Sequence, residues 1–209
     1  TSCEDSNGDY IPDMFQTLPE WSYETDAYAR NVAVSADGEY IVVGTSAASD
    51  DLGSVYLFGH NSSTPLWSYD VGENVYSVSI SADGEYIAVG SNDDRVYLFG
   101  KDSSTPLWSK FVEGFVNSID ISADGEFIAA HADGILFFFG KESNTPLWSV
   151  AINDGNNNLE TEISSDGNYI TIHSEDGRKL YLFDKSGNNL WTYSRSDSNQ
   201  VEFNDISIS

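Results

Sequence analysis

One heptapeptide constrains the fold of this chain more than any other feature, because it comes back. Ser35-Ala36-Asp37-Gly38-Glu39-Tyr40-Ile41 recurs as Ser81-Ala82-Asp83-Gly84-Glu85-Tyr86-Ile87 and as Ser122-Ala123-Asp124-Gly125-Glu126-Phe127-Ile128. A fourth, shorter copy reads Ser165-Asp166-Gly167-Asn168-Tyr169-Ile170. A second landmark, Thr64-Pro65-Leu66-Trp67-Ser68, returns over 105–109 and 145–149 and survives in degenerate form around Trp21 and Trp191. All five tryptophans belong to this series, at spacings of 46, 41, 40 and 43 residues. Self-similarity at that period marks a repeat architecture in which each unit buries its apolar face against the next.

Each period holds four short runs of strand-forming residues, labelled a to d. In the second period they are Val75–Ser81, Glu85–Ser91, Arg95–Lys101 and Leu107–Val112. Asp-Gly between a and b is a hairpin signal, since Gly accepts positive φ and Asp bonds the nearby backbone. The c runs, such as Val96-Tyr97-Leu98-Phe99, are apolar on both faces, as strands packed between two other sheets must be. Pro before d sits at a strand start, where its missing donor costs little. The recurring Trp is expected to fill the wedge between neighbours. The pattern predicts an all-β chain, a β-propeller of four-stranded antiparallel blades over 31–71, 75–112, 116–153 and 158–196. Residues 1–19 read as a separate acidic segment and 20–209 as the propeller.

Two pieces fall outside complete blades. Glu20 to Asp26, with Trp21, reads as an outer d strand without its a, b and c; Val201 to Ser209 reads as an inner a strand. The expectation is that a longer chain or another copy supplies the missing strands, the second option giving head-to-tail contacts that close into a ring or grow into a filament.

The Ser-x-Asp-Gly-x-Tyr-Ile hairpin followed by Val-Tyr-Leu-Phe resembles WD-type propeller repeats. The run from Val96 to Trp108 is similar to the tryptophan-docking repeat of quinoprotein (PQQ-like) propellers. The resemblance covers residues 20–209 and implies fold more than function, because this architecture hosts many roles.

At the amino terminus, Asp5, Asn7, Asp9 and Asp13 place side-chain oxygens at alternating positions, with Ile11 offering a carbonyl and Gly8 permitting the turn. That alternation suits a hard cation and predicts a calcium loop; the alternative is an acidic linker. The segment resembles thrombospondin type-3-like repeats. An EF-hand loop would carry a bidentate Glu where this chain has Gln16. His131 and His173 share a repeat position held by Gly44 and Gly90 in the first two periods; two histidines can begin a metal site, but no third ligand is specified. Carboxylates on the b–c and d–a connections, among them Asp70, Glu73, Asp93, Asp94, Glu113 and Asp133, would form a one-signed rim able to steer a basic partner, or a solvated loop set.

Acidic residues outnumber basic ones 34 to 9, for a formal charge of −25. Nucleic acid is thereby a poor partner, since its phosphates need Lys and Arg stripes. No apolar run reaches the roughly 18 residues that span a bilayer. Cys3 is the one cysteine, so no disulfide forms within the chain. Thr1-Ser2-Cys3 would fit the end of a lipoprotein cleavage motif, but cleavage would remove Thr1 and Ser2, and an ordinary thiol is the simpler reading. No segment breaks the repeat to supply catalytic chemistry. The reading that follows is a non-catalytic prokaryotic propeller, extracellular or on the cell surface, binding a protein or further copies of itself. The alternative is a fragment of a quinoprotein-like, PQQ-dependent dehydrogenase.

Overall fold

The computed structural model describes residues 20–25, 27–46, 53–152, 159–174, 179–195 and 208. These form four sheets of four antiparallel strands. The first blade is β1 (Tyr28–Val34), β2 (Tyr40–Ser46), β3 (Ser54–Gly59) and β4 (Trp67–Asp70). The second is β5 (Val75–Ile80), β6 (Tyr86–Ser91), β7 (Arg95–Gly100) and β8 (Trp108–Phe111). The third is β9 (Val116–Ile121), β10 (Phe127–Ala132), β11 (Ile135–Gly140) and β12 (Trp148–Ala151). The fourth is β13 (Leu159–Ile163), β14 (Tyr169–Ser174), β15 (Lys179–Asp184) and β16 (Asn189–Ser194). In every blade strand order follows chain order, and the described residues contain no helix. The chain is four blades of a β-propeller.

The repeated heptapeptide is the a–b hairpin, and its chemistry is the same each time. In the first blade the Ser35 hydroxyl donates to Asp37 Oδ1 (2.6 Å) and accepts the Tyr40 N–H (3.0 Å), while Asp37 Oδ1 also accepts the Glu39 N–H (3.0 Å). Gly38 takes φ 75°, a conformation other residues rarely adopt. Ser81–Asp83, Ser122–Asp124 and Ser164–Asp166 repeat the arrangement at 2.6, 2.6 and 2.7 Å. Hydrogen bonds from Ser35 and the Glu39 N–H hold the Asp37 carboxyl below its ordinary 3.8.

Blades are joined by the same contacts at each junction. The Trp67 indole N–H donates to the Lys101 carbonyl of the next blade (2.7 Å), Trp108 to Lys141 (2.7 Å) and Trp148 to Lys185 (2.9 Å). Trp67 stacks on Phe99 with ring centroids 5.3 Å apart, and Trp108 packs on Phe139 at 5.5 Å. Beneath these rings lie three apolar clusters, one per junction, containing the fully buried Leu57, Ile87, Leu98, Ile128 and Leu136. Each such side chain contributes about 1.5–3 kcal/mol by leaving water.

Nearer the axis the junctions are polar. Asn31 Oδ1, Ser77 Oγ and Ser118 Oγ hold one repeat position, and each accepts a backbone N–H from the following blade, Val78, Ile119 and Thr161 respectively (2.9–3.1 Å). The hairpins also link directly, Ala36 N–H to Ala82 carbonyl, Ala82 to Ala123 and Ala123 to Ser165 (2.9–3.1 Å).

The expected apolar c strands are buried in β3, β7 and β11, but most of β15 is only partly buried, and all of β16 is exposed. No described blade follows the fourth to cover them. Residues 20–25 do not form the expected d strand, since no described c strand of their own blade lies beside them to pair with. They nevertheless seat like one: the Trp21 indole donates to the His60 carbonyl and its ring stacks on Phe58 at 5.6 Å. Tyr23 meets Phe58 at 5.2 Å and 63°, as Tyr69 meets Phe99 at 5.2 Å and 63°. The expected a strand over 201–209 lies almost wholly outside the described residues.

Candidate functional site

Of the sequence-derived candidates, the calcium segment (Asp5, Asn7, Asp9, Ile11, Asp13) lies outside the described residues, as do Cys3 and the rim carboxylates Asp50, Asp51, Asp154, Glu175, Asp176 and Asp197. The histidines have different partners. Each is buried and engaged within its own blade: His131 Nε2 accepts the Gly134 N–H (3.1 Å), and His173 Nε2 lies 3.3 Å from a Glu160 carboxylate oxygen. Burial drives the His131 imidazole down to about 4, with the Asp133 carboxylate opposing. Among the described residues no group of three or more His, Cys, Asp or Glu is placed to hold a metal.

The inner strands line an axial space of about 330 Å³, bordered by Asn31, Ser77, Ser118, Asp120 and Glu162. Asp120 is its most constrained member. Its Oδ1 accepts the Ser79 hydroxyl (2.7 Å) and the Ile121 N–H (2.9 Å), and its Oδ2 accepts the Ile163 N–H (2.9 Å). One carboxylate therefore ties the second, third and fourth blades together. Burial pushes its acid upward from 3.8, and these three hydrogen bonds pull the other way.

Part of the acidic rim does converge. Asp94, Glu113 and Asp133 line a cleft of about 460 Å³ between the second and third blades, together with Phe111 and Phe115. Gly114 allows that closeness, since a Cβ there would lie 2.5 Å from the Cβ of Asp133. Asp93 stands just outside, where it accepts a hydrogen bond from the Tyr97 hydroxyl and lies 4.0 Å from Arg95. Burial and the Asp93 bond hold the Tyr97 phenol well above its ordinary range. The carboxylates were visible in the sequence; the two phenylalanines were not singled out. The available signal was the third and seventh residues after each Trp, which are Asp70 and Asn74 in the first blade but Phe111 and Phe115 in the second.

A family model described as outer membrane protein assembly factor BamB matches residues 51–208, well over half of the chain. The chain belongs to this PQQ-like propeller family. The first blade's β1 and β2 lie wholly ahead of the BamB match, yet the hairpin that joins them repeats those of the later blades. No curated protein sequence matches the chain. Among solved structures, a chain of Kuenenia stuttgartiensis hydrazine synthase is similar with a TM-score of 0.68 and 17% identity, over 86% of this chain and 53% of that one. A chain of the mitotic checkpoint complex is similar with a TM-score of 0.68 and 14% identity, over 82% of this chain and 54% of that one. The chain thus spans about half the length of these solved chains, and at such identities the likeness concerns the fold.

Proposed function

We propose that this chain is a non-catalytic binding and assembly module of the BamB type, working outside the cell or on its surface and joined to a protein partner or to further copies of itself. The observation that carries the reading is how the perturbed ionisable groups are used. Asp120 clasps three blades, His131 accepts a turn N–H within its own blade, and the Tyr97 phenol is tied to Asp93. Perturbed groups gathered in a cleft are the usual mark of catalysis; here each is explained by architecture. The family description, an assembly factor, supports the same reading.

The test sets this against a quinone-dependent enzyme. Pyrroloquinoline quinone and calcium are added to the purified protein while the quinone absorbance and the reduction of an artificial electron acceptor are followed. No spectral change and no reduction are expected; either one would replace the module with the dehydrogenase reading. Calcium belongs to the proposal separately, held by Asp5, Asn7, Asp9, Asp13 and the Ile11 carbonyl to stiffen the amino-terminal segment. Calorimetry should show heat of binding and a melting temperature that chelator lowers. An unchanged melting curve with no heat would leave the segment a linker.

A further inference from the structure

We propose that the cleft between the second and third blades is a docking site for a peptide segment of a partner protein in which a basic side chain stands beside an apolar one. This rests on the binding-module reading and names where, and for what, the module binds.

The first argument is exposure. Most large apolar side chains exposed among the described residues fall into two groups, each with an architectural reason. One is the leucine before a docking Trp (Leu66, Leu107, Leu147), repeated in every complete blade; the other sits at the two open ends of the array. Phe111 and Phe115, 49% and 55% exposed, belong to neither. They sit at an inner junction, where the equivalent residues are Asp70 and Ala151 for Phe111 and Asn74 for Phe115. Two phenyl rings facing water across one cleft, in a repeat that elsewhere places small or polar residues there, are a local departure of the kind that marks function.

The second argument is the placement of charge. Glu113 has φ 56° where the first blade has Gly72 at φ 96°, and Asp94 has φ 64° where the third blade has Gly134 at φ 79°. Glycine would sit at both positions without strain. The chain instead carries a carboxylate at each, and both border the cleft with Asp133. Among the described residues that line it none is basic.

The ligand class follows from these groups. Carboxylates around the opening accept hydrogen bonds from guanidinium or ammonium and repel phosphate and other anions, as does a net charge of −25. The phenyl faces take an aliphatic or aromatic side chain, or a cation. Arg95, itself outside the lining, lies over the Phe111 ring at 5.8 Å, an example of the cation–ring contact that a ligand arginine would make. A bare metal ion would have no use for the rings. The volume, about 460 Å³, admits a few side chains of an extended segment and not a folded domain.

The test uses the 209-residue protein and three capped hexapeptides followed by calorimetry: alternating Arg and Leu, alternating Arg and Ser, and alternating Glu and Leu. The Arg–Leu peptide should bind, the Arg–Ser peptide at least about tenfold more weakly, and the Glu–Leu peptide not at all. Asp94→Gly with Glu113→Gly should weaken the Arg–Leu peptide by about tenfold or more while the melting temperature holds or rises, because glycine relieves both positive-φ positions. Phe115→Asn, which installs the first blade's residue, should weaken it as well. Equal affinity in the variants, equal affinity for Arg–Ser, or no binding of Arg–Leu at millimolar peptide would each overturn the site. If the protein fails these peptides yet still engages a partner protein, the cleft is wrong and the module reading stands; quinone reduction would sink that reading whatever the peptides do.

Discussion

Trp108 shows how one side chain joins two blades. Its ring packs on Phe139 and its N–H reaches the Lys141 carbonyl at 2.7 Å, so shape and hydrogen bond can be separated by mutation. Trp108→Phe keeps most of the ring and removes the donor, and should cost about 1–2 kcal/mol in urea unfolding; Trp108→Ala also opens a cavity and should cost about 3–5 kcal/mol. Equal losses would mean that the hydrogen bond carries the junction. His131 supplies a pH signature. Its folded value of about 4 lies below the ordinary 6.5, so on acidification the unfolded chain takes up a proton before the native protein does. Stability is therefore lost as pH falls through that window, by on the order of 3 kcal/mol. Asp120 acts in the opposite sense: its raised value lets the native protein hold a proton more tightly, so its contribution is present at low pH and is lost as pH rises above 3.8. His131→Gln should shrink the stability lost between pH 6.5 and 4, measured by urea midpoints at several pH values, and an unaltered slope would remove His131 as its source. The Trp role was legible in the sequence because it repeats. The roles of His131 and Asp120 were not, since each depends on what the neighbouring blade places opposite.

At the scale of the element, the a–b hairpin carries an internal control. Gly38 and Gly84 have nearly the same conformation, φ 75° and 72°, but different surroundings. A Cβ on Gly38 would meet nothing within 4 Å, whereas one on Gly84 would overlap the Tyr40 ring of the preceding blade. Gly38→Ala should cost only the backbone strain, about 1 kcal/mol. Gly84→Ala should cost roughly 1–3 kcal/mol more, because Tyr40 must move in a packed interface. The same loss for both, read from thermal or urea melts, would show that ring contact contributes nothing. The hairpins and strands were readable because Asp-Gly turns and alternation are local signals. The cleft was only half readable. Its carboxylates stood out as an acidic loop set, but Phe111 and Phe115 look like ordinary strand-flanking residues until the register of β8 and the junction with β9 turn them outward.

For the whole molecule the question is what the two end faces do. The interface repeated at three junctions has two halves. One is the Trp-bearing edge of a d strand, Trp67-Ser68-Tyr69 at the first junction, Trp108-Ser109-Lys110 at the second and Trp148-Ser149-Val150 at the third; the other includes the apolar side chains of the next a strand. At inner junctions the second half is covered, with Val78 and Ile80 at 5% and 9% exposure, but Val32 and Val34 in the first blade are 62% and 55% exposed. At the other end Trp191 and Tyr193 are 47% and 48% exposed, where Trp67 is packed on Phe99. The ends are therefore complementary by the same geometry that the chain uses internally, and either a further blade of a longer chain or the opposite end of a second copy would fit each. Trp21 and Tyr23 already cover Phe58 in cis, so a joining Trp191-Thr192-Tyr193 must displace Trp21-Ser22-Tyr23 from that groove. The 209-residue chain should then associate head to tail, with a concentration-dependent sedimentation coefficient. Salt should strengthen the association by screening the repulsion of 34 carboxylates. Val34→Lys at one end or Trp191→Lys at the other should each leave the fold intact and stop growth, while a mixture of the two variants should recover dimers through their unmodified ends. A monodisperse monomer at every protein and salt concentration would show that Trp21 and Tyr23 close the groove against a second copy.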